Sequence, residues 1–273
     1  NQSRIVREKL INYKSKSNLF NDLIEIQIKE PIKEEEIKKT IKSLGDITDS
    51  ISKKVKDQYE ENPYPRWRYS AQIPKTNFLS ILNNDILPNK INTDNKFKNP
   101  NILIAGCGTG IQLKNIISRE NSYVLALDLS LSSLAYAKRK IEEIGAKNIE
   151  FLHGDILDLN KINRKFDIIE CMGVLHHMEY PIKGLKILVN LLEPGGVLKL
   201  GLYSEIARKN IVKLREFVEQ NKYKRNIFDI RNFRETIKKH ENKVFQKVTV
   251  SRDFYSTSNI RDLIFHIQEH RFT

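Results

Sequence analysis

One stretch of the sequence joins a short apolar run to three glycines at alternate positions. Residues 102–105 are all apolar, as in a parallel strand that is buried on both faces. Gly106, Gly108 and Gly110 follow, and glycine lets the backbone turn sharply and approach a ligand closely. The dinucleotide fingerprint places its third glycine one residue later, where this chain has Ile111. The spacing therefore predicts a strand that ends in a nucleotide-binding turn of a different form.

Further strand patterns follow this turn and alternate with helical patterns. Asp128 ends the second strand, close to the roughly 20-residue separation at which an acid accepts hydrogen bonds from ribose hydroxyls. Ligands of an open α/β sheet bind at the carboxyl ends of its strands. We therefore predict that Asp128 binds ribose. The later predicted strands are 122–128, 148–152, 166–171 and 197–200, and the helices between them are 131–144 and 181–192.

These motifs together resemble the class I S-adenosylmethionine (SAM)-dependent methyltransferases. The resemblance rests on the G-x-G-x-G turn, the two strand-ending acids, and the runs VLHHM at 174–178 and LLEPGGVLKL at 191–200. It implies an α/β Rossmann-like fold with parallel strand order 3-2-1-4-5, and SAM as the cofactor with S-adenosylhomocysteine (SAH) as product. Asp155 resembles the acid that holds the adenine amino group. The cofactor-binding residues predicted in this way are Gly106, Cys107, Gly108, Thr109, Gly110, Gln112, Asp128, Leu129, Gly154, Asp155, Ile156, Cys171 and Met172.

Each of these features also has a purely structural explanation when it is taken alone. The glycine run could be an ordinary turn, Asp128 could cap the helix that starts near Leu131, and Asp155 could form an Asx-turn. Cys107 and Cys171 are expected to pack as small apolar residues rather than act as nucleophiles. No metal site is predicted at the adjacent histidines at 176 and 177, because neighbouring side chains point in different directions.

The segment 59–69, called the aromatic segment below, contains two prolines and precedes the sheet. We predict that it covers the pocket. Tyr59, Tyr64 and Arg66 are expected to face the cleft as a lid over the donor or the acceptor, with Trp67 as a buried anchor. The alternative is that Trp67 and Tyr69 only cover the edge of the sheet. The weak candidates for a general base are His176, Tyr64, Tyr255 and His266.

Three motifs extend the resemblance to the flanks of the sheet. The motifs resemble methyltransferase domains found downstream of tetratricopeptide repeats in bacterial proteins: QYEENPYPRW at 58–67, GCGTG at 106–110, and the C-terminal series RDFYS at 252–256, RDLIFH at 261–266 and QEHRFT at 268–273. Residues 1–50 show no such repeat. The chain begins without Met and stops at Thr273, where members of that family continue, so we expect a region excised from a longer protein that lacks the last strands of the sheet.

The pattern of strands and helices divides the chain into four regions. We predict a helical extension at 1–50, an aromatic cap or linker at 51–96, a SAM-binding domain at 97–204 and a helical C-terminal segment at 205–273.

The net charge of +13 is spread along the chain and forms no basic stripe, so nucleic acid is not the favoured partner. No apolar run is long enough to cross a membrane, and two cysteines suit a reducing compartment, so a cytoplasmic location is expected.

The sequence therefore predicts a SAM-dependent methyltransferase whose acceptor is unidentified, with a small molecule or a protein favoured. The alternatives are a catalytically silent scaffold with this fold, an RNA methyltransferase, and an NAD-dependent oxidoreductase.

Overall fold

Six parallel strands form one sheet at the centre of the structure, a computed structural model that describes residues 2–69, 78–91, 97–114 and 122–273. The strands are β1 (Lys42–Ser43), β2 (Asn101–Ala105), β3 (Tyr123–Asp128), β4 (Ile149–His153), β5 (Phe166–Met172) and β6 (Leu192–Gly201). They lie in the order β1-β4-β3-β2-β5-β6, and each neighbouring pair is parallel.

This order confirms the predicted α/β Rossmann-like fold with helical additions at both ends. The five predicted strands are β2 to β6, and the reversal of strand order falls between β2 and β5, as expected from right-handed crossovers. One element corrects the prediction. Residues 1–50 were expected to be helical throughout, but Lys42–Ser43 pairs with β4 as an edge strand. A two-residue strand is too short to show an alternating pattern in the sequence.

The helices flank the sheet and extend the chain at both ends. The helix from Leu131 to Ile144 has the predicted bounds: the Ser130 hydroxyl accepts a hydrogen bond from the Ser133 N–H at 3.0 Å, and Gly145 ends it with φ +80°. The helices are α1 (Gln2–Ile11), α2 (Asn18–Ile24), α3 (Glu30–Lys38), α4 (Ser50–Glu61), α5 (Phe78–Asp85), α6 (Leu131–Ile144), α7 (Pro181–Asn190), α8 (Glu205–Gln220), α9 (Ile227–Lys239), α10 (Lys243–Gln246) and α11 (Thr257–Leu263).

Shorter helical turns fill several connections. A π-helical turn at Glu25–Lys29 joins α2 to α3, and 3₁₀ turns lie at Ile156–Lys161, Leu175–His177, Lys247–Val250 and Arg252–Phe254. The short segment Lys247–Val250 is therefore helical and adds no strand to the sheet.

Alternate residues of the central strands supply two apolar layers. Ile102 and Ile104 of β2 pack in the layer that includes α6, whereas Leu103 and Ala105 pack in the layer that includes Leu188 of α7. This burial on both faces explains the continuous apolar run in the sequence. A third apolar cluster around Phe233 joins α8, α9 and α11.

The N-terminal extension is attached to α6 through a buried cation. The Arg139 side chain is 1% exposed, and its guanidinium contacts Glu34 at 2.8 Å, Glu30 at 3.0 Å and Glu143 at 2.6 Å. A buried charge is tolerated only with such partners. This network holds α3 against the helix that follows Asp128.

We expect Arg139→Ala to lower the free energy of unfolding by roughly 3–5 kcal/mol, because it removes the buried cation that joins the buried Glu34 carboxylate to α6. The matched control is Arg164→Ala, which removes a half-exposed pair with Glu150 and should change stability by less than about 1 kcal/mol. Urea unfolding of both variants measures the difference, and equal losses would contradict the role of Arg139.

Candidate active site

The carboxyl ends of β2 to β6 open into a pocket of about 280 Å³. The sheet supplies its floor, while α4, the aromatic segment and α11 supply its cover. The lining residues are Ser52, Val55, Tyr59, Tyr64, Pro65, Gly106, Cys107, Gly108, Ile111, Gln112, Leu127, Asp128, Leu129, Ser133, Gly154, Asp155, Ile156, Met172, Gly173, Val174, His177, Met178, Tyr203 and Asp262.

The glycine turn has the backbone conformation that its spacing predicted. Gly106, Gly108 and Gly110 have φ values of +83°, +51° and +78°. A Cβ atom on Gly106 would lie 2.3 Å from Val174 Cγ2, and one on Gly110 would lie 2.9 Å from Ala137 Cβ. The first glycine therefore permits close packing at the pocket wall, whereas the third permits packing against α6.

Asp128 sits at the centre of the pocket floor with acceptor capacity to spare. Its Oδ2 accepts the Gly108 N–H at 2.7 Å, and its Oδ1 accepts the Ser130 N–H at 2.9 Å. A carboxylate has about four acceptor positions, and the Leu129 N–H also interacts with this one, so about one position remains free. The cap of α6 is Ser130, so the alternative role of Asp128 as the helix cap does not hold. Burial raises the pKa of Asp128 to about 6, against the lowering effect of these N–H groups.

Asp155 both makes an Asx-turn and lines the pocket. Its Oδ1 accepts the Leu157 N–H at 2.9 Å, and the Ser52 hydroxyl also hydrogen-bonds to the carboxylate. The side chain is buried, and burial raises its pKa. The structural explanation of Asp155 is thus correct, and it leaves the residue in the pocket.

Ten of the thirteen predicted cofactor-binding residues line the pocket, and three do not. Thr109 is buried beneath the aromatic segment, Gly110 packs on α6, and Cys171 belongs to the apolar core. Burial raises the pKa of Cys171 to about 12 and that of Cys107 well above its usual value. Both thiols are therefore protonated near neutral pH, as suits packing rather than nucleophilic attack.

The aromatic segment combines an anchor with a pocket wall. Trp67 is buried, and its Nε1–H donates to the Thr109 carbonyl at 2.9 Å, while the Thr109 hydroxyl donates to the Pro65 carbonyl. Tyr59 and Tyr64 line the pocket. These contacts attach the segment directly to the glycine turn.

Arg66 corrects the prediction of a lid residue, because its side chain lies outside the pocket. Its guanidinium approaches Glu34 at 3.5 Å and lies over the Tyr136 ring at 5.2 Å. The alternation of polar and aromatic residues could not reveal this, because Glu34 comes from the N-terminal extension.

Glu60 was not predicted, yet it fixes the start of α6. Its carboxylate accepts the Leu131 N–H at 2.5 Å and the Ser132 N–H at 3.2 Å. An acid at a helix N-terminus is favourable because it satisfies free N–H groups and the helix dipole. Since Glu60 lies far from α6 in sequence, no local capping signal marks it.

The candidate bases take different positions from those expected. Of the four, only Tyr64 lines the pocket. His176 is buried and stacks on Tyr203 at 3.6 Å, His266 is buried behind Tyr59 at 3.2 Å, and Tyr255 is exposed outside the pocket.

Three pocket residues with titratable side chains on the side of β5 and β6 were missed. They are His177, Tyr203 and Asp262. His177 was considered only as part of a histidine pair, and Asp262 lies in the RDLIFH run, which was noted for family resemblance alone. Their meeting depends on the path of the C-terminal segment, where Phe272 N–H donates to the Tyr203 carbonyl at 2.8 Å and the His270 N–H to the His176 carbonyl at 2.7 Å.

Hydrogen bonds account for the close grouping of His177, Asp262 and His266. Their ligand-type atoms lie within 4.8 Å of one another, a spacing that a metal ion can bridge. However, the Tyr59 hydroxyl contacts both Asp262 and His266, and the Gln268 carbonyl lies 2.6 Å from His177 Nδ1 and 2.8 Å from His266 Nδ1. We therefore assign no metal to this group, and the absence of a metal site from the protein remains a prediction.

Comparison with known proteins shows which family the central part of the chain resembles. Residues 102–196 match the family described as "Methyltransferase domain". This region is therefore similar to the class I SAM-dependent methyltransferase domains, and the predicted enzyme class and cofactor agree with that family. The match does not extend to an association with tetratricopeptide repeats.

Individual relatives share this part of the chain. An uncharacterized protein of Synechococcus is 37% identical over 121 residues, which are 44% of this chain and 29% of that protein. The mitochondrial ubiquinone biosynthesis O-methyltransferase of Schizosaccharomyces pombe is 27% identical over 173 residues, 62% of each chain. The chain thus spans less than two thirds of the length of these relatives.

One solved structure matches the fold more broadly. PKMT2 from Rickettsia typhi, in complex with AdoHcy, has a TM-score of 0.51 and 21% identity, and the match covers 64% of this chain and 36% of that one. At this identity the likeness concerns the fold. Among the helices that the structure describes, none has the length and apolar character needed to cross a membrane.

We expect Gly106→Ala to destabilise the protein more than Gly145→Ala. Both positions have φ near +80°, so both alanines carry about 1–2 kcal/mol of left-handed strain, but no atom lies within 4 Å of a Cβ at Gly145. The contact with Val174 should add about 1–3 kcal/mol at Gly106. Urea unfolding measures both losses. Equal losses, or no partial recovery in Gly106→Ala/Val174→Ala, would contradict this packing constraint.

Proposed function

We propose that this protein transfers the methyl group of SAM to an acceptor, with the donor laid across the ends of β4, β3, β2 and β5. The observation that carries the proposal is the unused acceptor capacity of Asp128 at the centre of the pocket floor. A carboxylate whose remaining acceptor position faces a pocket suits a ribose hydroxyl.

The other walls support the same orientation. Asp155 and the neighbouring Gly154 and Ile156 lie at the end of β4 and would receive the adenine ring, with the acid accepting from its amino group. Gly106 and Gly108 lie at the end of β2, where the turn leaves room for the methionine portion. Met172, at the end of β5, would flank the sulfonium group.

When bound, SAM supplies a methyl group on a positively charged sulfur. The residues of the chain contribute alignment: holding donor and acceptor in line can supply up to roughly 7–11 kcal/mol in well-oriented systems. The cover formed by Tyr59 and Tyr64 would exclude water from the transfer. We propose that the acceptor is a small molecule or a protein.

The alternative functions make different demands on the pocket. An NAD-dependent oxidoreductase is disfavoured because Ile111 stands where the dinucleotide fingerprint has its third glycine, and this residue lines the pocket. A silent scaffold would bind SAM without turnover, and an RNA methyltransferase would transfer label to RNA. Incubation with radiolabelled SAM and separate pools of small molecules, proteins and RNA distinguishes these functions.

We also propose that the domain belongs to a longer protein with tetratricopeptide-type repeats upstream. The motifs at 58–67, 106–110 and 252–256 support this proposal. Two unpaired, buried cysteines are compatible with a reducing, cytoplasmic compartment.

We expect Asp128→Ala to weaken SAM binding by about ten-fold or more, since hydrogen bonds to a charged group contribute about 1.5–3 kcal/mol each. Asp57→Ala removes the same charge from an exposed position on α4 and should leave the affinity unchanged. Calorimetric titration with SAM, and with NAD as a second ligand, measures both. Unaltered SAM affinity in Asp128→Ala would refute the ribose assignment.

We also expect the variants of the aromatic segment to differ. Tyr64→Ala should weaken SAM or SAH binding because Tyr64 lines the pocket, whereas Arg66→Ala should leave it unchanged because Arg66 contacts Glu34 instead. Both should keep a melting temperature within a few degrees of the original protein. A loss of SAH affinity in Arg66→Ala alone would place the arginine at the cleft after all.

A further inference from the structure

A buried acid lies at the end of the pocket that the proposed donor site does not use. Asp262, on α11, is 9% exposed and lines the pocket together with His177 and Tyr203. The following inference rests on the proposed function.

The order of the strands locates Asp262 relative to the donor. The proposed adenine, ribose and methionine positions follow β4, β3 and β2 across the sheet, so the methyl group would point towards the ends of β5 and β6. His177 follows β5, and Tyr203 follows β6. Asp262 shares this part of the pocket wall with them and therefore faces the space where an acceptor must enter.

The carboxylate of Asp262 is held on one side only. The Tyr59 hydroxyl donates to its Oδ1 at 2.5 Å, and the same hydroxyl oxygen lies 3.2 Å from His266 Nε2. Among the described residues, no other side chain hydrogen-bonds to this carboxylate. Its Oδ2 is thus left for a group inside the pocket.

The neighbouring cations are committed elsewhere. Arg208 makes a two-point contact with Glu269, at 3.1 Å and 2.8 Å, and Arg261 pairs with Glu61 at 2.9 Å. Within the described part of the chain, Asp262 therefore has no salt-bridge partner. A buried carboxylate in this state favours a ligand that brings a positive charge or a proton.

We propose that Asp262 is the general base of the methyl transfer, that Tyr59 positions it, and that the acceptor is a nucleophile bearing an N–H or O–H bond. A lone pair of the acceptor atom forms the new bond to the methyl carbon, and the bond from carbon to sulfur breaks with its electron pair passing to sulfur. The proton of the acceptor atom passes to Asp262 Oδ2. The products are the methylated acceptor, SAH and protonated Asp262, which returns the proton to water.

Base strength favours Asp262 over the nearby histidines. Burial lowers the pKa of His266 to about 3 and that of His177 well below its usual value, so both are weak bases. Burial raises the pKa of Asp262 to about 6, close to the working pH, where a general base is most effective. His177 remains neutral and lines the acceptor space as a hydrogen-bonding group.

The negative charge of Asp262 also limits the acceptor class. An anionic nucleophile such as a thiolate would be repelled by the Asp262 carboxylate and needs no base. An amine or a hydroxyl group satisfies the free Oδ2 and gives up a proton during transfer. The tyrosines at 59, 64 and 203 surround this position with ring surface and hydroxyl groups.

The test uses two inert ligands and needs no known acceptor. SAH lacks the methyl group, whereas sinefungin carries a primary ammonium group at the position of that methyl. If Asp262 faces this position, sinefungin should bind at least about ten-fold more tightly than SAH, as for hydrogen bonds to a charged group. Asp262→Asn should abolish that preference while SAH affinity is retained. The control Asp253→Asn removes a nearby acid that does not line the pocket and should keep the preference.

The pH dependence of the unmodified protein gives a second measurement. The ratio of sinefungin to SAH affinity should be high at pH 7.5 and should fall as the pH is lowered through about 6, because protonated Asp262 no longer attracts an ammonium group. Asp128 titrates in the same range but would contact the ribose, which both ligands share, so its effect on the ratio cancels. The charged or titratable groups around Asp262 are Tyr59 on α4, Tyr64 in the aromatic segment, His177 after β5, Tyr203 after β6, Arg208 on α8, Asp253, His266 and Glu269.

The outcomes separate this inference from the proposed function. Tyr59→Phe removes a hydrogen bond that lowers the Asp262 pKa, so the midpoint of the ratio should shift to higher pH, which a merely structural role would not produce. A ratio that is independent of pH and unchanged in Asp262→Asn overturns the role of Asp262 even when SAH binds well. If neither ligand binds, the proposed function itself fails and the inference falls with it.

Discussion

The hydrogen bond from the Gly108 N–H to the Asp128 carboxylate joins the glycine turn to the end of β3, and the shape of the pocket depends on it. The Gly106 and Cys107 N–H groups add bonds of 2.8 Å and 2.9 Å to the Leu127 carbonyl. Backbone groups therefore hold the turn. Neighbouring parallel strands present such groups at the carboxyl edge of the sheet whatever their side chains are. Side chains around it can vary without moving the floor of the pocket, because the floor is made largely of main chain.

The cover of the pocket is attached to this floor by a different set of contacts. Trp67 bonds to Thr109 within the glycine turn, and Glu60 bonds to the first turn of α6. Arg139 on α6 then holds the N-terminal extension. These contacts make the aromatic segment part of the folded domain, so its packing role and its role as a wall belong to different side chains of one segment.

The sequence predicts what depends on neighbours along the chain. The strands and the helices α6 and α7 follow from apolar periodicity and from capping residues such as Ser130 and Gly145. The predicted carboxyl ends of the strands then identify Asp128 and Asp155 as pocket residues. The positions of Arg66, Glu60 and Asp262 depend instead on partners far away in sequence. No local pattern distinguishes an acid that caps a distant helix, or one that enters a pocket, from an acid on a solvated surface.

The contact between Tyr59 and Asp262 spans 203 positions of the chain and has a consequence for the order in which the pocket is built. Domains fold as the chain emerges from the ribosome, N-terminal parts first. Once Gly201 has emerged, all six strands that the structure describes and the proposed donor side are present, but the wall beside β5 and β6 still lacks α11. A nascent chain would thus acquire a place for the donor before a place for the acceptor. The segment that completes the reactive half of the pocket is thus synthesised after the strands that would bind the donor.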